Sequence, residues 1–152
     1  PYLFYYLPRF NNKLKLMKKA ASKVYVIDNG FVAAKAFNLS ENLGRLLENE
    51  VFVELLRMGY KVETTLFYYR SRNDREVDFV TRQGTRIERL IQVCYDMNSP
   101  KTEKREVDSL IECAGELRCN NLMIITNNDE REILKDGYCI KVVPFVKFVL
   151  GV

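Results

Sequence analysis

The sequence predicts an α/β domain in which helices pack on one central mixed sheet. Strand-like and helix-like segments alternate along the chain, which is typical of this class. A short apolar run at residues 121–126 has the length of a fully buried strand, and two turn-centred stretches are typical of hairpins. A chain of 152 residues is long enough for one such domain with a proper core.

The first half of the chain predicts a strand, a long helix and a second strand. Residues 22–28 resemble a strand and are followed by an Asn-Gly turn pair. The long helix is predicted to begin at Ser40, a favoured N-cap residue, and to end at Gly59, a favoured C-terminal residue. Residues 61–70 form the second predicted strand.

The second half predicts a hairpin, a helix, a buried strand and a second hairpin. Residues 75–96 are expected to fold back on themselves at a Gln-Gly turn. The helix covers residues 99–119, with a proline suited to its first turn. After the buried strand, residues 131–144 form a predicted hairpin on an Asp-Gly turn.

The composition excludes several classes of catalytic site. The chain has no histidine, which excludes Ser-His-Asp and Cys-His catalysis, histidine metal sites and HNH-type nuclease chemistry. It has no GxxxxGK[ST] motif, so it does not hydrolyse ATP with a P-loop. Its four cysteines lack zinc-ligand spacing and are expected to be reduced thiols of a cytoplasmic protein.

Two further features bear on location. No apolar run approaches the roughly 20 residues that a membrane-spanning helix needs, so no membrane association is expected. The first residues lack the order of a signal peptide, and the sequence opens on Pro1 without a methionine. We therefore expect a cytoplasmic fragment of a longer protein.

Basic charge is concentrated at the start of the chain, although the net charge is only +4. Residues 1–40 hold seven Lys or Arg residues and one acidic residue. Residues 1–22, with their interleaved aromatic side chains, are predicted to be a linker from an upstream domain, and residues 23–152 the α/β domain. The linker either follows a nucleic-acid backbone or is a solvated connection. The predicted nucleic-acid-binding residues are Arg9, Lys13, Lys15, Lys18, Lys19 and Arg45.

A glutamate is predicted to lie on the apolar side of the long helix. On a helical wheel of residues 41–58, Glu48 falls at the centre of the apolar arc, and Gly44 lies one turn earlier on the same face. An ionised carboxylate in that position needs a charged partner or a bound cation. The alternatives are that it pairs with a neighbour such as Arg45 or lies at the rim of the core.

An aspartate repeats this pattern in a strand, where aspartate is disfavoured. Asp78 lies between two apolar residues, and alternation predicts that it shares a strand face with Glu76 and Val80. On the returning strand the residues that share a face are Glu88, Leu90, Gln92 and Cys94. Pairing brings part of that row beside Asp78, although the register is open. A helix glutamate and a strand aspartate at one sheet edge suit Mg²⁺ and metal-assisted phosphodiester hydrolysis, whereas the structural alternative is an aspartate at a turn.

The order of these segments resembles the PD-(D/E)XK, or restriction-endonuclease-like, nuclease fold. Five stretches resemble one branch of it, the C-terminal domain of undefined function in prokaryotic AAA+-type ATPases: KVYVIDNGF, GRLLENEVFVELLRMGY, REVDFV, LIQVCYD and TEKREVDSL. The resemblance implies upstream ATPase and winged-helix domains in the same protein, with ATP bound only there. It also implies Mg or Mn at the nuclease-like site.

The resemblance assigns catalytic positions to four residues. Glu48 matches the helix glutamate and Asp78 the strand aspartate, while the third-strand (Asp/Glu)-x-Lys pair falls on Gln92 and Cys94. The implied metal ligands are Glu48, Asp78 and Gln92. Gln92 removes one negative charge, and Cys94 cannot supply an ammonium group, a type of loss that typically lowers the rate by about 10²–10³.

Substitutes for the missing groups are present in the sequence. Glu88 or Glu76 would restore a carboxylate, and the lysine would be replaced by Lys61, Arg75 or Arg89. Catalytic activity is therefore left open.

The sequence supports three functions. The first is a degenerate nuclease-like domain of a AAA+-type ATPase that binds nucleic acid or a protein partner. The second is an active Mg- or Mn-dependent endonuclease on branched DNA, similar to a Holliday-junction resolvase. The third is a docking domain that regulates or oligomerises the ATPase, which exposed aromatic residues near the start of the chain would favour.

Overall fold

The computed structural model of the protein describes residues 3–17, 19–30 and 39–151. The strands in chain order are β1 Phe4–Leu7, β2 Lys23–Val26, β3 Leu66–Arg70, β4 Glu76–Gln83, β5 Arg86–Val93, β6 Leu122–Thr126, β7 Arg131–Lys135 and β8 Tyr138–Pro144. The helices are α1 Leu14–Met17, α2 Leu39–Arg57, α3 Pro100–Leu117 and α4 Phe145–Leu150. The predicted α/β class and the order of the main elements are confirmed.

Strands β3 to β8 form one mixed sheet with the order β3-β4-β5-β6-β8-β7. The neighbours β3–β4, β4–β5 and β7–β8 run antiparallel, whereas β5–β6 and β6–β8 run parallel. Helix α3 makes the crossover between β5 and β6, as a parallel connection requires. Helix α4 follows β8 directly at the end of the described residues.

The sheet has a separate apolar core on each face. On one side, the α3 face, buried residues of α3 such as Val107 and Leu110 pack against Val80 and Leu90. On the other side, the α2 face, Val51, Phe52 and Leu55 of α2 pack against Phe79, Ile91 and Ile125. The buried apolar side chains of the central strands therefore face one helix or the other.

A β-bulge interrupts the alternation of β4. The paired residues on either side of it are Phe67 with Val80 and Tyr69 with Val77. Tyr68 alone therefore opposes both Asp78 and Phe79, which is the two-against-one arrangement of a bulge. Val77 and Val80 both enter the core on the α3 face, whereas Phe79 enters the core on the α2 face. This corrects the predicted face-sharing of Asp78 and Val80.

Strands β1 and β2 form a separate antiparallel pair, the N-terminal hairpin, which packs on α2. Tyr25 stacks on Phe52 with ring centroids 4.3 Å apart and planes 9° apart. Leu7 is fully buried in the same core, and Phe10 is buried on the α3 face. Leu7 and Phe10, which lie in the segment predicted to be a linker, thus pack against the sheet and its helices.

Over residues 3–17, 19–30 and 39–151, no helix combines the length and the apolar character required to cross a lipid bilayer.

Candidate functional site

The side-chain ammonium of Lys23 lies at the centre of three carboxylates. Its Nζ atom is 2.9 Å from Oε1 of Glu48, 2.8 Å from Oε1 of Glu76 and 2.7 Å from Oδ1 of Asp78. The contacts with Glu48 and Asp78 are hydrogen bonds that the ammonium donates, and the contact with Glu76 is an ion pair. Lys23, Glu48, Glu76 and Asp78 are called the Lys23 cluster below.

Three elements bring the cluster together. Lys23 begins β2, Glu48 lies within α2, and both Glu76 and Asp78 lie at the start of β4. The bulge in β4 turns Asp78 towards the α2 face, where Glu48 lies. The two carboxylates that the sequence places in one site therefore do converge, through a lysine that sequence analysis did not assign to the site.

Helix α2 fixes β2 through two adjacent residues. The carboxamide of Asn49 donates to the carbonyl of Val26 and accepts from its N–H group, both at 2.9 Å. The hydroxyl of Tyr25 donates to Oε1 of Glu48 at 2.6 Å. These hydrogen bonds hold the strand that carries Lys23 against the helix.

Asp78 also ends the ladder between β4 and β5. The paired residues of the two strands reach Phe79 and Ile91 at this end. Beyond them, Oδ2 of Asp78 accepts the N–H of Val93 at 2.9 Å, and the N–H of Asp78 donates to Oε1 of Gln92 at 3.4 Å. Side-chain acceptors thus satisfy backbone donors where the strands separate, which gives Asp78 a structural role beside its ionic one.

Burial and mutual charge shift the proton affinities of the cluster. Burial, followed by the charge of Glu48, raises the pKa of Asp78 to about 7, although Lys23 opposes this shift. Burial lowers the pKa of Lys23, but the charges of Asp78 and Glu48 outweigh it, so the pKa lies above its usual range. Burial, with the charge of Glu48, also raises the pKa of Tyr25. At neutral pH Lys23 is therefore an ammonium and Tyr25 a neutral donor.

A second cation, Arg70, also contacts the cluster. Nη2 of Arg70 donates to Oε2 of Glu76 at 2.8 Å, whereas Lys23 contacts the other oxygen of that carboxylate. Burial tends to raise the pKa of Glu76, but the hydrogen bonds and charges of Lys23 and Arg70 lower it overall. Glu76 is therefore ionised near neutral pH and paired with two cations.

Gln92 and Cys94 lie on the opposite, α3 face of the sheet. Nε2 of Gln92 donates to Oε2 of the buried Glu106 at 2.7 Å. The Cys94 thiol packs in the α3-face core and donates to the carbonyl of Asp96 at 3.2 Å. Burial, followed by the charge of Glu106, raises the pKa of Cys94 to about 11, so the thiol is neutral at physiological pH. Neither side chain forms a hydrogen bond with the cluster carboxylates.

Alternation along β5 is the physical reason for this placement. Ile91 and Val93 pack on the α2 face, while Leu90 and Cys94 pack on the α3 face. The two β5 residues nearest Asp78 on the α2 face, Ile91 and Val93, are therefore apolar. Gln92 and Cys94, to which the resemblance assigns the third-strand pair, therefore lie on the opposite sheet face from the carboxylates of Glu48 and Asp78, and Gln92 contacts Asp78 at its backbone N–H.

The substitutes that the sequence offered are found in different places. Glu76 belongs to the cluster, whereas Glu88 accepts a hydrogen bond from the hydroxyl of Tyr60 at 2.9 Å. In the described part of the chain, the ammonium that contacts the carboxylates comes from Lys23. It does not come from Lys61, and the guanidinium groups of Arg75 and Arg89 form no ion pair with the cluster.

A cleft of about 490 Å³ opens beside the cluster. Lys23, Glu48 and Glu76 line it, together with β2 residues, Asn49 and the exposed Arg45. The carboxylate of Glu48 is paired with Lys23, which is not the neighbouring partner Arg45 that the sequence suggested. The cluster is thus reachable from solvent on the side of this cleft.

The predicted nucleic-acid-binding residues have different surroundings. Lys13, Lys15 and Lys19 are exposed in the segment around α1. The guanidinium group of Arg9 donates to the carbonyl of Arg70, and Arg45 lies at the cleft. Lys18 lies outside the described residues.

The cluster does not fit a divalent cation as it stands. In the described part of the chain, no set of three His, Cys, Asp or Glu side chains, the cluster included, is arranged so that it could hold a metal ion. The carboxylates surround an ammonium at 2.7–2.9 Å, whereas Mg²⁺ requires oxygens at about 2.0–2.1 Å.

Comparison with known proteins gives a family match and two relatives of unknown function. The model of DUF4143, a domain of unknown function, matches residues 43–148, a range that includes the three cluster carboxylates but not Lys23. An uncharacterized protein of Methanocaldococcus jannaschii is 39% identical over 155 residues, which covers 98% of this chain and 33% of that protein. An uncharacterized protein of Haemophilus influenzae is 29% identical over 110 residues, or 72% of this chain and 25% of that protein. The chain thus spans a third or less of these relatives.

One solved structure shows a weak likeness. It is the half-complex of Thermococcus gammatolerans McrB AAA+ hexamers with bound McrC, 12% identical over 66% of this chain and 27% of the matched chain. The TM-score is 0.42, which does not establish a shared fold.

Replacing Lys23 with methionine should destabilise the protein, because three carboxylates lose their shared counter-ion. The expected loss in the free energy of unfolding, measured by chemical denaturation, is about 3–5 kcal/mol. In variant protein that stays folded, the pKa of Asp78 should rise further, since the ammonium lowers it in the wild type. The carboxyl ¹³C shift of Asp78 during a pH titration gives this pKa.

The matched control is Lys141→Met, which removes an exposed lysine from β8. Its effect should stay within about 0.5 kcal/mol. Equal effects of the two substitutions, or an unchanged pKa of Asp78 in folded Lys23→Met, would contradict the role given to Lys23.

Proposed function

Because the chain belongs to the DUF4143 family of domains of unknown function, we propose that it is a non-hydrolytic, nuclease-like accessory domain of a AAA+-type ATPase. In this proposal it binds nucleic acid and does not cut it. The ATP-hydrolysing domain is another part of the same cytoplasmic protein.

Three observations support the ATPase context. Five sequence stretches, from KVYVIDNGF to TEKREVDSL, resemble the C-terminal domain of prokaryotic AAA+-type ATPases. Domains of this family are found in AAA+ ATPase-associated proteins. The chain also spans only 33% of its Methanocaldococcus relative, which leaves room in such proteins for further domains.

The non-hydrolytic role is carried by one observation, the ammonium of Lys23 among the carboxylates of Glu48, Glu76 and Asp78. A metal-dependent nuclease uses such carboxylates to bind a cation that activates water and neutralises developing charge. Here the carboxylates already have a counter-ion, at 2.7–2.9 Å. The β5 residues on that side, Ile91 and Val93, supply neither a further carboxylate nor an ammonium.

Binding of nucleic acid is supported by exposed lysines in the first part of the chain. Lys13, Lys15 and Lys19 are exposed within seven residues, and the N-terminal hairpin beside them in sequence has exposed aromatic residues. Lysine ammonium groups in such a segment bind phosphates without reading sequence. Recognition is therefore expected to be independent of sequence and strongly dependent on salt.

A second candidate function is docking on a protein surface, favoured by the outer face of the N-terminal hairpin. Alternation along β1 and β2 turns Phe4, Tyr6 and Val24 outward, and their exposed fractions are 48%, 63% and 56%. An apolar strand face of this kind is typical of a protein interface. In that case removal of the exposed lysines would leave binding to the ATPase unchanged.

The cleavage prediction concerns plasmid and branched DNA with Mg²⁺ or Mn²⁺. The wild-type protein should produce no cleavage above that of the Asp78→Ala variant. The double variant Gln92→Glu/Cys94→Lys should also be inactive, because both side chains face α3 and Glu106. Gel analysis of nicked and linear products measures the cleavage by each of these proteins. Cleavage by the wild type that is abolished in Asp78→Ala would overturn the non-hydrolytic proposal.

The binding prediction concerns the exposed lysines. The triple variant Lys13→Ala/Lys15→Ala/Lys19→Ala should bind duplex DNA more weakly. The negative slope of the logarithm of the association constant against the logarithm of the salt concentration should become shallower by about 0.9 for each phosphate that is no longer neutralised. Fluorescence anisotropy over a salt series gives that slope. The control removes three exposed lysines elsewhere, Lys101, Lys104 and Lys141. Equal weakening in the two triple variants would contradict a binding site in the first segment.

A further inference from the structure

We propose that the ammonium of Lys23 takes the place of the divalent cation that the carboxylates of Glu48, Glu76 and Asp78 would otherwise bind. The domain then folds and acts without a metal ion at this site. This inference rests on the proposed function and deepens it, because it names the group that makes the nuclease-like site non-hydrolytic.

The geometry of the ammonium is that of a bound cation. Each carboxylate contributes one oxygen to Nζ, at 2.7, 2.8 and 2.9 Å. The contacts with Glu48 and Asp78 are charge-assisted hydrogen bonds, and the contact with Glu76 is an ion pair. The three oxygens therefore surround a single positive centre, as ligands surround a metal ion, but at the longer spacing that an N–H···O contact requires.

The charge of the group also depends on Lys23. With Lys23 and Arg70 in place, two positive groups face the three carboxylates. Of these two cations, only the Arg70 guanidinium would remain beside the three acids without Lys23. An ammonium and a divalent cation therefore compete for the same oxygens, and the ammonium has the advantage of being tethered to the chain.

Contacts with α2 fix the position of β2, the strand that carries Lys23. Asn49 binds both backbone groups of Val26, and the ring of Tyr25 stacks on Phe52. The Nζ atom of Lys23 also lies 5.8 Å from the ring centroid of Tyr68, within range of a cation–π interaction. Lys23 can therefore leave the carboxylates only if its side chain turns into the cleft or the hairpin separates from α2.

The test measures binding of Mn²⁺ to three proteins: the wild type, Lys23→Met and Lys141→Met. The methods are isothermal titration calorimetry and electron paramagnetic resonance, in which the signal of free Mn²⁺ is lost when the ion binds. The wild type and Lys141→Met should show no saturable site at millimolar Mn²⁺. Lys23→Met should bind one Mn²⁺ at least about tenfold more tightly than either, since removal of the competing charge exposes all three carboxylates. The double variant Lys23→Met/Asp78→Asn should lose this site.

Loss of folding in Lys23→Met does not prevent the test. If the variant is unfolded in metal-free buffer, Mn²⁺ should restore its circular dichroism spectrum, because binding of the ion is linked to folding. Failure of Mn²⁺ either to bind the folded variant or to refold the unfolded one overturns the inference.

A wild-type protein that binds Mn²⁺ as tightly as Lys23→Met, in a manner abolished by Asp78→Asn, also overturns it. The proposed function fails by a different result, namely wild-type cleavage of DNA or the absence of DNA binding. A wild-type protein that takes up no Mn²⁺ and binds no DNA, beside a Lys23→Met variant that does take up Mn²⁺, would retain the Lys23 inference and refute the binding role.

Discussion

The α2 side of this domain depends on one electrostatic requirement, which is that three carboxylates from two elements share the ammonium of Lys23. Asp78 is almost fully buried, with 9% of its side chain exposed, while the Glu48 and Glu76 side chains are exposed by 24% and 29%. Removing such charges from water costs several kcal/mol for each ion unless a close opposite charge compensates. The lysine therefore joins β2, α2 and β4 by a requirement that apolar packing alone would not impose.

The rest of the site is arranged around this requirement. The β-bulge turns Asp78 to the α2 face, and Asn49 and Tyr25 fix the strand that carries the lysine. Where β4 and β5 separate, Gln92 and Asp78 satisfy one backbone donor of each strand. Asp78 and Gln92, to which the resemblance assigns catalytic positions, thus satisfy backbone groups of the sheet.

The sequence predicted the features that depend on local periodicity and turn chemistry. The helix at 99–119, the hairpin on Asp136 and Gly137, and the buried strand at 121–126 all arise from short-range patterns, as does the placement of Glu48 towards the core. The bulge has no such signal, because no glycine or proline marks residues 77–80, and one extra residue reverses the strand face of the residues after it. Lys23 was missed because its partners Glu48 and Asp78 lie 25 and 55 residues away. One feature of the local sequence did indicate its position: Lys23 lies two residues before Tyr25, so both side chains are on the strand face that is buried against α2.

The most direct test of this account is ¹⁵N NMR of the Lys23 side-chain nitrogen in the wild-type protein, with and without Mg²⁺. An ammonium held among three carboxylates should give a resolved, slowly exchanging NH₃⁺ signal that shifts in Glu48→Gln and Asp78→Asn and is insensitive to Mg²⁺. A Lys23 signal that exchanges as rapidly as that of the exposed Lys141, or that Mg²⁺ displaces towards the free-lysine position, would contradict the central claim.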